Sequence, residues 1–295
     1  MLSILIPVYN YDVLPLASEL VKQCNSCGII FEIICLDDAS QSFILENQRI
    51  NQFENASYSI LEKNMGRSAI RNLLAKKAVY ENLLFLDADT IPVNDNFIAK
   101  YISQITNDEK VIYGGILYQS TEPSKNNLFR WIYGKKREAL EVSERIKNTH
   151  LSFLTLNFLI KKSVFTKVRF NEEIPNLRHE DTLFSFDLKQ NQIDIVHIEN
   201  PVFHLGLEDS KTFLRKSEEA VLGLKNLVDS NLIPSEYTKL SSYFKSIKKY
   251  HLEGIIVFVF KVFKPAMTKQ FLSRKPSLFL FDIYRLGYYC SLKTK

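Results

Sequence analysis

The first 120 residues alternate between short apolar runs and stretches of helical periodicity, and this pattern restricts the fold more than any other feature. "LSILIPV" (2–8), "FEIICL" (31–36), "SYSILEK" (57–63), "NLLFL" (82–86) and "KVIYGGILY" (110–118) read as strands. Between them, "DVLPLASELVKQC" (12–24), residues 41–53 and "RSAIRNLLAKKAVYE" (67–81) read as helices, with Pro15 suited to a first turn. Strands separated by helices of about 10–15 residues imply βαβ units. The fold class expected is therefore α/β, a mostly parallel sheet flanked by helices.

Ligands of such sheets bind beyond the carboxyl ends of the strands. Three apolar runs end in polar clusters: "PVYN" (7–10), "DDAS" (37–40) and "DADT" (87–90). A fourth cluster, "NMGR" (64–67), opens the helix after the third strand. The spacing predicts all four on one edge of the sheet. Alone, the acids of "LLFLDADT" suit a solvated loop as well as a site, since carboxylates at a strand end need water or a positive partner. Four such endings in a row argue for a site.

The second half is less regular. Residues 125–148 read as a basic helix, and "FLTLNFLI" (153–160) and "IDIVHI" (193–198) as strands. "HEDTLFSFDLKQ" (179–190) has acids at its start and a lysine near its end, as a helix dipole favours. From about residue 210 the pattern is helical. The length of 295 residues fits a catalytic domain over 1–230 and a helical appendage over 231–295.

Charge separates the same two regions. Residues 236–295 hold twelve Lys/Arg against three Asp/Glu, a net of +9, whereas the first 235 residues carry −4. That balance argues against a nucleic-acid-binding core and makes the tail a surface for something anionic. The runs "GIIVFVF" (254–260) and "LFLFDIY" (278–284) are too short to cross a bilayer. With their flanking lysines and aromatics they suit helices lying in an anionic membrane interface, or an ordinary helical subdomain. "MLSILIPVYN" lacks a basic n-region, so no secretory leader is expected. Cys24, Cys27, Cys35 and Cys290 are expected as free thiols, because the "CNSC" pair has no second half-site for zinc.

"SILIPVYN", "CLDDAS", "NMGRSAIRN", "LFLDADT" and "HEDTLFSFDLKQ", in this order and spacing, resemble the family 2 glycosyltransferases over about residues 2–230. The resemblance implies a GT-A (Rossmann-like) fold and inverting transfer from a nucleotide-diphosphate sugar to a saccharide or lipid-linked saccharide hydroxyl. A UDP-sugar is the first choice of donor, and a hexosyl or N-acetylhexosaminyl group the type transferred. By position, Pro7 and Tyr9 would line the base, and Asp37 or Asp38, the second preferred, would accept a hydrogen bond from it. Asn64, Arg67, Asp87 and Ala88 join the donor-binding set. Asp89 would bind Mn²⁺ or Mg²⁺, with Asp87 reaching the ion more weakly or touching the ribose. His204 would complete the metal site or else be a core residue. Asp181 is the base carried over, with Glu180 its rival. The family's habits, the absent leader and the tail together point to surface-polysaccharide assembly by a cytoplasmic protein on the inner face of the membrane.

Two rivals remain on sequence grounds. "LLFLDADT" also fits an aspartate-nucleophile phosphohydrolase of the haloacid dehalogenase type, although three strand-like units precede it. A glycosyltransferase fold that only binds nucleotide is the other. The helix around Trp131 is equally suited to flank an acceptor or to be a solvated basic face.

Overall fold

The computed structural model describes residues 1–175 and 178–292; the last three residues of the expected tail lie outside the described set. The chain begins with β1 (Leu2–Val8), α1 (Leu14–Ser26), β2 (Phe31–Asp37), α2 (Ile44–Gln48), β3 (Ala56–Ile60), α3 (Arg67–Lys77) and β4 (Asn82–Leu86). These four strands run parallel in the order β3-β2-β1-β4, as the strand–helix alternation implies. There follow β5 (Thr90–Pro92), α4 (Phe97–Ile102), β6 (Lys110–Tyr113), β7 (Ile116–Leu117), α5 (Leu128–Tyr133), α6 (Val142–Arg145), β8 (Asn157–Lys161), α7 (Lys162–Lys167), α8 (Glu180–Gln190), β9 (Asp194–His197) and β10 (Val202–His204). β8 enters antiparallel between β4 and β6, and β9 pairs parallel with β6, completing a seven-stranded sheet. A second sheet of three short strands has the order β5-β10-β7.

The near-continuous apolar strands have a direct cause, because both sheet faces are covered. Ile4, Ile6 and Val8 of β1 pack with Leu16, Leu20 and Cys24, one stripe of α1. Leu5 points the other way, among Ile70 and Leu74 of α3 and the rings of Phe85, Phe158 and Phe165. Pro15 lies in the first turn of α1, where its missing amide costs nothing. The four cysteines are free thiols, and burial pushes Cys24 and Cys35 up to about 12, leaving them unreactive packing groups.

Three expected elements are broken. "KVIYGGILY" bends at Gly114–Gly115 so that β6 and β7 enter different sheets. Gly115 has φ +98°, and a Cβ on Gly114 would lie 2.3 Å from the Asn200 carbonyl, so glycine is needed at both positions. The stretch 41–53 divides into α2 and a 3₁₀ turn after Phe43 adopts φ +62°. The basic helix expected over 125–148 is interrupted by a π turn at Gly134–Glu138.

The chain divides into two compact units. The sheet unit comprises 1–119, 138–172 and 180–206. The other comprises 120–137, 173–179 and 207–295, with α9 (Ser210–Asp229), α10 (Lys239–Lys249), α11 (Glu253–Phe271) and α12 (Leu278–Ser291). Asp209 caps α9 by accepting from the amides of Lys211 and Thr212. Phe129, Phe213, Phe260, Phe271, Phe281 and Tyr284 form this unit's own aromatic core. No helix among the described residues is long and apolar enough to cross a membrane.

Candidate active site

Within the sheet unit, the carboxyl ends of β1 and β2 are stitched into one wall. The Asp38 amide donates to the Val8 carbonyl (2.9 Å), the Asn10 amide to Ser40 Oγ (2.7 Å) and the Gln41 amide to Asn10 Oδ1 (2.9 Å). Pro7 is half-buried on this wall, whereas Tyr9 is 58% exposed, leaving ring surface for a ligand. The two acids of "DDAS" have different partners. Asp37 is fully buried and accepts from the Tyr58 hydroxyl (2.6 Å) and the Ser40 amide (2.7 Å). Asp38 accepts from the amides of Met65 (2.7 Å) and Gly66 (3.0 Å), while Asn64 Nδ2 donates to the Asp38 carbonyl (3.1 Å). Asp38 thus fastens the "NMGR" loop to the strand edge. Gly66, at φ +85°, makes the turn into α3 that a side chain would strain.

α3 then presents Arg67 and Arg71 on one face, one turn apart. Arg67 is partly exposed, its Nη1 3.5 Å from Glu180 Oε1. Arg71 is only 5% exposed; its Nη2 lies 2.7 Å from Asp87 Oδ1 and its Nη1 3.7 Å from Glu180 Oε1. The guanidinium stacks over Phe170, 5.4 Å from the ring centre. Burial pulls Arg71 down, but Asp87 and Glu180 outweigh it, so its pKa is raised and it stays charged. Its Nε and Nη1 make no hydrogen bond among the described residues. Sequence reasoning did not single out Arg71. The signal was an arginine at a core-facing position, between Ile70 and Leu74.

The acidic pair is separated by its neighbours. Asp87 is held by Arg71, and its carboxyl is nonetheless raised, first by burial and further by Asp89. A tight turn follows, with the Thr90 amide and hydroxyl both donating to the Asp87 carbonyl (3.2 and 2.7 Å). Ala88 is buried in the core, so only its backbone faces this edge. Beyond the turn, β5 pairs with β10 so that His204 stands opposite Thr90, and the Leu205 amide donates to the Asp89 carbonyl (2.8 Å). His204 Nε2 consequently lies 3.3 Å from Asp89 Oδ2. Gly206 closes against the same carboxylate, where a Cβ would sit 2.1 Å from Asp89 Oδ2. Tyr118 packs beside His204 with the rings tilted, 5.4 Å between centres, and burial, then the Asp89 charge, raises the Tyr11 pKa.

This donor pair fits a divalent cation. Two ligands of one ion, each bound at about 2.1 Å, stand about 3 Å apart, close to the Asp89–His204 separation. No cluster of three or more His, Cys, Asp or Glu side chains suited to a metal occurs among the described residues, so an ion held by this pair would need further ligands from elsewhere, such as water or a phosphate.

Glu180 and Asp181 open α8, whose positive end faces them. The two residues before it, Arg178 and His179, both have left-handed φ (+71° and +70°), strain of the kind that accumulates at functional sites. The half-buried Asp181 carboxyl is raised to about 6, chiefly by burial and then by Glu180, against the Thr182 amide (2.7 Å) that favours its ionised form. Chemically the edge offers a carboxylate–imidazole pair that could accept a cation, a buried guanidinium and a carboxylate raised toward neutrality.

The family described as Glycosyl transferase family 2 matches residues 3–170. The chain belongs to glycosyltransferase family 2. It is thus an enzyme, a glycosyltransferase, and the phosphohydrolase alternative is set aside. The matched segment includes Pro7 through Asp89 but stops short of Glu180, Asp181 and His204. A protein of Haemophilus influenzae described as an uncharacterized glycosyltransferase is 23% identical over 266 residues, 88% of this chain and 94% of its own. Among solved structures, S. aureus TarS 1–349 aligns with TM-score 0.52 and 18% identity over 97% of this chain and 90% of that one. The Pyrobaculum calidifontis mannosyltransferase PcManGT aligns with TM-score 0.53 and 12% identity over 77% and 64%. Against the longer TarS chain the alignment spans 40% of its length. These likenesses speak for the fold, and the seven-stranded unit is of the GT-A type.

Proposed function

We propose that this glycosyltransferase transfers a sugar, with inversion and dependence on a divalent metal, from a nucleotide-diphosphate sugar to a hydroxyl of a saccharide or lipid-linked saccharide. The observation carrying this reading is Arg71. It ties Asp87, at the end of β4, to Glu180, at the start of α8 and next to Asp181, which in this reading supports a phosphate-binding side beside the base. PcManGT in complex with GDP-Man and Mn²⁺, and TarS 1–349 in complex with UDP-GlcNAc at TM-score 0.51, support a nucleotide-sugar donor by analogy.

In this reading Tyr9 stacks on the base, Pro7 lines its pocket, and the Asp37–Asp38 wall with Asn64 shapes the nucleoside site. Arg67 and Arg71 face the phosphates, and Asp87 and the Ala88 backbone meet the ribose side. Asp89 and His204 would hold Mn²⁺ or Mg²⁺, and the ion would supply positive charge to offset that of the leaving diphosphate. The acceptor oxygen attacks the anomeric carbon as the carbon–oxygen bond to the diphosphate breaks. The electron pair leaves on the β-phosphate oxygen, and the hydroxyl proton passes to Asp181. Glu180, engaged with Arg67 and Arg71, serves better as a positioning group than as the base. The donor chemistry belongs to residues 1–230, while residues 231–295 rest on the inner face of a membrane where a surface polysaccharide is assembled.

The test is binding and turnover of a nucleotide-sugar panel with Mn²⁺, Mg²⁺ or EDTA, on wild type, Asp89→Ala and Asp181→Asn. One donor should bind only with metal, fail with Asp89→Ala, and bind but not react with Asp181→Asn. Binding of that donor unchanged by EDTA and by Asp89→Ala would sink the metal assignment, and binding without turnover in wild type would favour the non-catalytic alternative.

A further inference from the structure

α11 is apolar on two sides, which a helix of a soluble helical unit does not need. Its inner side, Phe260, Met267 and Phe271, fills the aromatic core. On its outer side Ile255, Phe258, Val259, Val262 and Phe263 are exposed, Phe258 by 69%. α12 continues this surface with Phe279, 72% exposed, and Ile283. Between the two helices runs a groove of about 480 Å³ in which Gln270 is the single polar lining residue among those described. Gly287 lets the helices close on its floor, since a Cβ there would lie 2.7 Å from Phe260. An exposed apolar surface of this extent marks an interaction site.

The charges on α11 and next to it in sequence identify the occupant. Lys269 lies on the same helical row as Phe258, Val262 and Pro265, and Lys261 flanks it. Arg274 and Lys275 follow α11, and Lys248 and Lys249 end α10. None of these six cations pairs with a carboxylate among the described residues, whereas Asp282 of α12 is already bound to Arg137 (2.6 Å). A second copy meeting this face symmetrically would set its lysines against these. A bilayer with anionic headgroups instead takes the apolar residues below its surface and neutralises the lysines at it.

We propose that the outer face of α11 and α12 is a docking surface for an anionic lipid bilayer, seated in the interface without crossing it. This deepens the membrane-surface reading above and names the helices, residues and lipid charge that carry it.

The experiment is sedimentation of the full chain with vesicles of phosphatidylcholine alone or mixed with phosphatidylglycerol, over a range of salt. Binding should require phosphatidylglycerol and weaken as salt rises. Lys261→Gln and Lys269→Gln should each weaken it about fivefold. Phe258→Glu with Phe263→Glu should cut it at least about tenfold, with circular dichroism and donor binding in solution unchanged. Wild-type binding that is absent, or indifferent to lipid charge and salt, overturns the proposal without needing any variant. A wild-type dimer that the Phe258→Glu, Phe263→Glu change converts to monomer, with no vesicle binding, assigns the face to a second copy instead. Loss of donor binding and turnover in wild type with vesicle binding intact would defeat the transferase mechanism and leave the docking surface standing.

Discussion

Arg71 Nη2 lies 2.7 Å from Asp87 Oδ1, and the same buried guanidinium reaches to 3.7 Å from Glu180 Oε1. One side chain from α3 thereby fixes the acid at the end of β4 relative to the acids opening α8. Arg71→Met should leave both carboxylates without their shared cation, costing about 2–4 kcal/mol in urea unfolding. Arg71→Lys keeps the charge but not the fork that reaches two acids, so it should recover part of the stability and little of the donor affinity. Equal stability of wild type and Arg71→Met would remove the proposed bridge.

Gly206 tests the Asp89–His204 pair without touching either residue. Its φ is not left-handed, so alanine adds no backbone strain, only a methyl 2.1 Å from Asp89 Oδ2. Gly206→Ala should displace that carboxylate and weaken metal-dependent donor binding by about 10–100-fold, as disturbed support of a ligand does. Titration calorimetry with and without Mn²⁺ reads the effect, and an unchanged affinity would show that Asp89 does not hold the ion.

The sheet was legible because its inner strands, such as β1, β2 and β4, are buried on both faces and so appear as near-continuous apolar runs, and because α1 and α3 carry one clean stripe each. β5 and β10 were not, since three residues are too few to show a period, and yet they set His204 beside Asp89. The polar clusters could be read as sharing an edge. The partners within that edge could not, because Asp37 meets Tyr58 and Asp38 meets Met65 and Gly66 from more than twenty residues away. Arg71 stayed hidden because an arginine on an amphipathic helix ordinarily reads as surface, although its place on the stripe of Ile70 and Leu74 turns it inward.

Asp181 gives a pH dependence with opposite signs for activity and stability. A base works ionised, so with its carboxyl raised to about 6 turnover should climb as pH rises from 5 and level off above about 7. For stability the raised pKa is a benefit that is complete below the unfolded value and lost as pH rises through about 6. At pH 7.5, Asp181→Asn should therefore stabilise the fold by about 1 kcal/mol, allowing for solvent screening, while lowering kcat about 10²–10⁴-fold. At pH 4 the two chains should unfold alike. A variant less stable than wild type at pH 7.5 would contradict the strained, partly desolvated carboxylate.

His197 supplies the complementary case, in the core of the sheet unit. Its Nε2 lies 2.9 Å from the Thr149 carbonyl, which requires that nitrogen to carry the proton, and its Nδ1 is buried with no hydrogen-bond partner among the described residues. The ring packs edge-on to Tyr113, with Arg145 and His150 as the charged or titratable neighbours opposing a second proton. Burial foremost, then these neighbours, depress the pKa to about 4, against the Thr149 bond that favours protonation. Between pH 6.5 and about 4 the unfolded chain binds a proton that the folded chain refuses, so stability is present above 6.5 and lost as pH falls. Urea midpoints of wild type should decline over this window by the equivalent of about 2–3 kcal/mol more than those of His197→Gln, which keeps a donor for Thr149 but cannot titrate. Parallel midpoint curves for the two chains would mean that His197 accepts its proton without opposing the fold.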